Sequence, residues 1–139
     1  MSSHALHQMY FHIIWTTKQR MEYIGEDVRE WMIAQIQSES EKREATVLAC
    51  NTMPDHVHLL VNLPPTVLVS AFIGEVKGAS SYAFGREYGP NHFLKWQTGY
   101  CVLTMRKGDT KTVVGYIATQ QERHAQGKLW PHLEQTSDE

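Results

Sequence analysis

Cysteine is nearly absent from this 139-residue chain: Cys50 and Cys101 are too few for a disulfide scaffold, and neither belongs to a CxxC pair. Both lie among strand-like apolar residues and read as small buried hydrophobes. No apolar run approaches the ~18 residues of a membrane span. The first fifteen residues offer neither a basic stretch nor a small-residue cleavage site, so a cytoplasmic protein is expected. A charge excess is missing too. With 13 Lys and Arg against 15 Asp and Glu, the net charge of −2 argues against a protein that simply coats nucleic acid. Repeats and low-complexity stretches are also lacking. What remains, 42% hydrophobic and 20% charged, is the composition of one globular domain over residues 1–139. Its core is expected at about 8–127, followed by a polar tail, 128–139.

The average charge hides a split. Residues 26–44 carry Glu26, Asp27, Glu30, Glu39, Glu41 and Glu44 against only Arg29, Lys42 and Arg43. Residues 75–111 reverse the balance, with Lys77, Arg86, Lys95, Arg106, Lys107 and Lys111 against Glu75, Glu87 and Asp109. One face can meet phosphates while another repels them, although two solvated surfaces would give the same count.

Residues 10–17, dense in β-branched and aromatic side chains, predict a first strand. Val28, Trp31, Met32 and Ile36 recur at spacings of three and four and predict an amphipathic helix over 26–43, its acids facing outward. Residues 45–53 and 56–63 read as strands joined by the turn Pro54-Asp55. A second helix is expected over 67–84, with Leu68, Phe72, Ile73, Val76 and Ala79 inward, then a loop over 85–91. Residues 100–105 form a fourth strand. A last helix, capped by Asp109-Thr110 and stopped by Gly127, precedes the tail, in which Leu129-Trp130 is the only pair suited to dock. The order βαββαβ plus a terminal helix is the ferredoxin-like α+β arrangement, with an antiparallel sheet.

Two groups of residues can carry chemistry. In His56-Val57-His58, strand alternation turns both imidazoles to one face and Val57 to the other. Paired neutral imidazoles suit a divalent metal, but a half-exposed strand can also simply carry two histidines. On the last helix, Tyr116 and Gln120 share a face at i, i+4, with His124 one turn further. A tyrosine hydroxyl can act as a nucleophile and a carboxamide oxygen as a hard metal ligand. The plainer alternative is a Tyr packed on the sheet and a Gln in solvent.

Taken together, the blocks from Tyr10-Phe11-His12 through Thr17-Lys18-Gln19-Arg20, Met53-Pro54-Asp55-His56-Val57-His58, Val76-Lys77-Gly78-Ala79-Ser80-Ser81, Trp96-Gln97-Thr98-Gly99-Tyr100 and Tyr116-Ile117-Ala118-Thr119-Gln120 resemble the single-tyrosine HUH transposases. These are small insertion-sequence enzymes, with the REP-associated tyrosine transposases as relatives. The blocks follow that family's order between residues 10 and 120. The resemblance implies cleavage and strand transfer on single-stranded DNA carrying a hairpin. Tyr116 would be the catalytic nucleophile, forming a 5′-phosphotyrosine bond, and His56, His58 and Gln120 would hold Mg²⁺ or Mn²⁺. Beside the resemblance, Lys18, Arg20 and Lys77 are candidates to contact phosphates, the plainer alternative being ordinary exposed bases. Trp15 and Trp96 read as core, and Tyr82 and Tyr100 lack a Gln four residues on.

The resemblance also implies a homodimer in which the tyrosine helix serves the partner's histidines. The mostly apolar edge of the fourth strand, 100–105, is where two sheets would join, and a flexible stretch at residues 106–109 would let the helix cross. A monomer with everything in cis is the alternative. Two other functions compete: a transposase-derived hairpin-binding protein that no longer mobilises DNA, and a zinc hydrolase built on His56 and His58. The latter leaves Tyr116 and Gln120 idle and lacks a third strong ligand. Glu134, Asp138 and Glu139 place acidity in the tail, where it cannot assist DNA binding.

Overall fold

The computed structural model describes residues 6–136. Asp138 and Glu139 lie outside the described residues. Strands β1 (Tyr10–Thr16), β2 (Thr46–Met53), β3 (His56–Asn62) and β4 (Cys101–Met105) form one sheet in the order β2-β3-β1-β4, every neighbour antiparallel. Helices α1 (Glu26–Glu41) and α2 (Val69–Tyr88) complete the expected α+β arrangement, and α3 (Lys107–Ala118) and α4 (Gln120–Gln126) follow β4.

Alternation along the strands divides the sheet into two unlike faces. Ile13, Trp15, Val57, Leu59 and Val61 point to one side and bury against Val28, Met32 and Ile36 of α1 and Phe72, Ile73, Val76 and Phe84 of α2. Fully buried side chains of this kind each contribute about 1.5–3 kcal/mol, so this layer dominates stability. On the other face, α3 covers a smaller cluster of Leu60, Val113, Tyr116, Ile117 and Leu133. His12, His56 and His58 are buried on that second face.

Several boundaries differ from the sequence expectation. Leu68, expected inward, precedes α2 and is 70% exposed, while Ser80 takes a buried place beside half-buried Ala79. α2 runs past Gly85 to Tyr88, because Tyr88 packs edge-on against Trp31 and alongside Phe84. Glu39, expected among the outward acids, is buried and held by Arg43 at 2.8 Å.

The terminal helix is not continuous and does not start at Asp109-Thr110. It begins at Lys107, with Arg106 alone between β4 and α3, so all but the first residue of the flexible stretch expected at 106–109 is already helical. It then breaks at Thr119 (φ −107°, ψ 25°). Thr119 Oγ1 donates to the Gly115 carbonyl, a back-bond that bends helices, and Asn51 Nδ2 from β2 donates to the Ile117 carbonyl. Gly127, at φ +67°, stops α4 in the left-handed conformation glycine adopts without strain.

Beyond Gly127 the chain returns to the sheet rather than trailing away. Trp130 stacks on the Tyr116 ring at a centroid distance of 4.6 Å, and Leu133 is buried.

Candidate metal and tyrosine site

The second face of the sheet carries the polar cluster. His56 and His58, two apart on β3, face the same side as expected, and their rings meet at a centroid distance of 5.1 Å. Each has its Nδ1 engaged. Asp55, in the hairpin turn, accepts from His56 Nδ1 at 2.7 Å and from Arg20 Nε at 3.0 Å. A carboxylate only accepts, so Nδ1 carries the His56 proton and a neutral ring keeps its lone pair on Nε2. His58 Nδ1 is 2.9 Å from His12 Nε2 on the neighbouring strand. Burial first, and then His58, push the His12 pKa down to about 3, so His12 stays neutral and can accept from His58.

The Nε2 atoms of His56 and His58 are buried without a well-formed hydrogen bond. They converge on one oxygen, Glu134 Oε1, at 3.6 and 3.4 Å, and His124 Nε2 lies 3.8 Å from the same atom. Burial alone would raise the Glu134 pKa, but the facing His56 and His58 rings overcome that and hold the carboxyl far below the usual range. Burial likewise works against a charged His56, yet Asp55 and Glu134 raise its pKa. Half-buried carboxylates against buried imidazoles ask for positive charge, which a proton or a divalent cation supplies.

Tyr116 is fully buried, with its ring edge-on to His58 at a centroid distance of 6.1 Å within the same chain. Its hydroxyl donates to Glu134 Oε2 and accepts from the Trp130 backbone N–H at 3.1 Å. Burial, then the Glu134 carboxylate, push the phenol pKa up. The Arg123 guanidinium lies 4.8 Å from the centre of the Tyr116 ring. Gln120 is buried one turn on, its Oε1 facing His124 Nε2 at 2.9 Å. The donor set fits a divalent cation: two unpartnered imidazole nitrogens and a carboxylate. His56, His124 and Glu134 in particular offer ligand atoms within 4.8 Å of one another.

The basic residues expected at phosphates divide. Arg20 reaches the cluster, through Asp55 and with Nη2 3.5 Å from His56 Nδ1. Lys18 is exposed beside it. Lys77 does not join the cluster; its ammonium donates to the Gln97 and Gly99 carbonyls at 2.8 and 2.9 Å, tying α2 to the chain leading into β4. A groove of about 460 Å³ runs there, lined by Lys77, Lys95, Trp96 and Tyr100 among others. Trp15 is core as expected, and Trp96 meets it edge-on.

Sequence reasoning missed His12 and Glu134 as members of the cluster. His12 shares a face with Ile14, and Ile14 pairs with His58, so the strand register carried a signal for it. Glu134 had a weaker signal, the apolar Leu129-Trp130 in a polar tail.

A family model described as "Transposase IS200 like" matches residues 5–120. The ISDra2 transposase TnpA of Deinococcus radiodurans is 27% identical over 124 residues, 85% of this chain and 88% of that protein. The transposase for insertion sequence element IS200 of Salmonella typhimurium is 28% identical over 131 residues, 91% of this chain and 86% of that one. A crystal structure of a candidate transposase from Deinococcus radiodurans R1 superposes with a TM-score of 0.65 at 26% identity, covering 86% of this chain and 96% of that one. A REP-associated tyrosine transposase bound to a REP hairpin shares the fold, with a TM-score of 0.64 at 18% identity over 89% of this chain and 74% of that one. Among the described residues, no helix is long and apolar enough to cross a membrane.

Proposed function

Because this chain belongs to the IS200-like transposase family, we propose that it cleaves and rejoins single-stranded DNA bearing a hairpin, through a 5′-phosphotyrosine intermediate. Residues 1–139 act as one domain in this reading. The observation that carries it is the convergence, within one chain, of the Tyr116 hydroxyl and the unpartnered His56 and His58 Nε2 atoms on the same carboxylate. A group that needs both a nucleophile and a cation in reach finds them there.

His56, His58 and Gln120 hold Mg²⁺ or Mn²⁺ in this reading, and the cation, when bound, neutralises charge on a phosphate oxygen. Asp55 and His12 aim the two imidazoles from behind. The Tyr116 oxygen attacks the scissile phosphorus and its hydroxyl proton is lost. The bond to the 3′ oxygen breaks, and that oxygen takes up a proton to leave as a 3′-hydroxyl. The phosphodiester energy is kept in the tyrosyl ester, so a second 3′-hydroxyl can reverse the step without a nucleotide cofactor. Arg123, over the Tyr116 ring, favours negative charge on its oxygen. Arg20, Lys18 and Lys77 contact phosphates in this reading, Arg20 from beside the cluster and Lys77 from the neighbouring groove that its ammonium also braces.

The test is incubation with 3′-labelled single strands taken from hairpin-bearing flanks of its gene, with Mn²⁺. A covalent protein–DNA band on a denaturing gel is expected. Hairpin binding with no such band would favour the derived binding protein, which one observation already supports: Glu134 covers the Tyr116 hydroxyl. In the same assay, a single-stranded hairpin should bind more tightly than the same sequence as a perfect duplex. Its affinity should also fall as salt rises, with a slope of about −0.7 per phosphate contacted. Equal affinity for duplex would count against the reading.

A homodimer joined along β4 remains part of this proposal, since among the described residues that strand pairs only with β1 and leaves an edge open. The geometry supports catalysis in cis. Arg106 is the sole linker before α3, and Tyr116 lies beside its own His58. Mixing Tyr116→Phe with His56→Ala and allowing subunits to exchange should therefore restore no cleavage. Recovery of activity would establish the crossed dimer.

A further inference from the structure

Drawing a carboxylate partly out of water is costly unless something of opposite charge meets it, yet half-buried Glu134 is brought to the histidine cluster by dedicated contacts. Trp130 stacks on Tyr116, Leu133 is buried, and the short turn Pro131–Leu133 delivers the next residue to the site. We propose that Glu134 is a ligand of the divalent cation in the DNA-free protein, and that it holds the place a phosphate oxygen of the substrate must take. The proposal rests on the reading of His56 and His58 as the metal-binding pair.

Three observations carry it. Glu134 Oε1 stands 3.4 Å from His58 Nε2 and 3.6 Å from His56 Nε2. Donors that share one cation at bonds of about 2.1 Å lie roughly 3.0–3.4 Å apart, so Glu134 Oε1 stands close to ligand spacing from each imidazole nitrogen. Both nitrogens are buried and lack hydrogen-bond partners, as unmetallated ligands do. The second carboxylate oxygen accepts from the Tyr116 hydroxyl, so Glu134 bridges the cation position and the nucleophile. A scissile phosphate must make the same two contacts, one anionic oxygen to the cation and its phosphorus to Tyr116. Glu134 and the substrate therefore exclude each other, and DNA must lift the segment that carries Trp130 and Leu133 before the site can react.

The experiment is Mn²⁺ titration of the full-length, DNA-free protein by isothermal calorimetry, comparing wild type, Glu134→Gln and His58→Ala. Gln keeps the shape of Glu and an oxygen for the Tyr116 hydroxyl, so the segment stays docked, as Trp130 fluorescence will report. Mn²⁺ affinity should fall by about tenfold or more in Glu134→Gln. Glu134→Ala, as a second variant, should show at least the same loss. An unchanged affinity in both, with His58→Ala weakened, overturns the Glu134 ligand alone. An unchanged affinity in His58→Ala overturns the underlying metal site. The competition is read separately: with saturating Mn²⁺, Glu134→Gln should bind a single-stranded hairpin several-fold more tightly than wild type, and equal affinity would overturn the exclusion.

Discussion

Tyr116→Phe should remove covalent DNA attachment by at least about a thousandfold, the scale on which deleting a nucleophile acts. The change deletes one oxygen and leaves the ring that packs against Trp130 and His58. It is not silent for stability, because the hydroxyl also answers Glu134 and the Trp130 N–H. Leaving those groups without a partner costs about 1–3 kcal/mol, which should appear as a lower melting temperature and a looser C-terminal segment. Hairpin affinity should not fall, because the lost oxygen holds the C-terminal segment that competes with the substrate. A covalent product of undiminished yield would assign the attack to another residue; Tyr82 and Tyr100, both exposed, would be the first to examine.

His58→Ala is expected to be nearly as severe. Groups that only orient a metal-bound histidine commonly contribute ten- to a hundredfold, so loss of the ligand itself should slow cleavage by more than about a hundredfold. His12→Ala, which removes the acceptor behind His58, should fall in the milder range. EDTA should reproduce the His58→Ala defect in wild type, and added Mg²⁺ or Mn²⁺ should reverse it there but not in the variant. Cleavage indifferent to both chelator and substitution would remove the metal from the mechanism. Calorimetric Mn²⁺ titration separates a lost ligand from a damaged fold, because His58 belongs to the second face and the main apolar layer lies on the first.

Much of this was legible in the chain because it depends on local periodicity. His56 and His58 are two apart on a strand and share its face; Tyr116 and Gln120, four apart, stay one turn from each other although the helix breaks between them at Thr119. The hairpin at Pro54-Asp55 and the stripe of Val28, Met32 and Ile36 are local in the same sense. The extension of α2 to Tyr88 was not legible, since it depends on Trp31, over fifty residues away in sequence. The break at Thr119 depends on Asn51 reaching across from β2. Glu134 was hidden for a related reason. Its charge argued against DNA, and only the docking of Trp130 and Leu133 shows that it meets imidazoles instead of phosphate.

The two-faced strand β3 places a constraint on chain length as well as on composition. His56 and His58 alternate with Val57, Leu59 and Val61. Deleting one residue between them and Asn62, or slipping the pairing by one, would carry imidazoles into the apolar layer and valines toward the tyrosine. Such a change would erase stability and chemistry in one stroke, so β3 tolerates substitution far better than it tolerates a change of length. β2 is built otherwise. Its register shifts between Val47 and Ala49, where Leu48 is accommodated as an extra residue, while Asn51 and Met53 still face His58 and His56. An insertion can be absorbed at that distal end of the hairpin without moving the histidines. Over evolutionary time, growth and loss of residues in this hairpin should therefore collect in β2 and leave β3 at constant length.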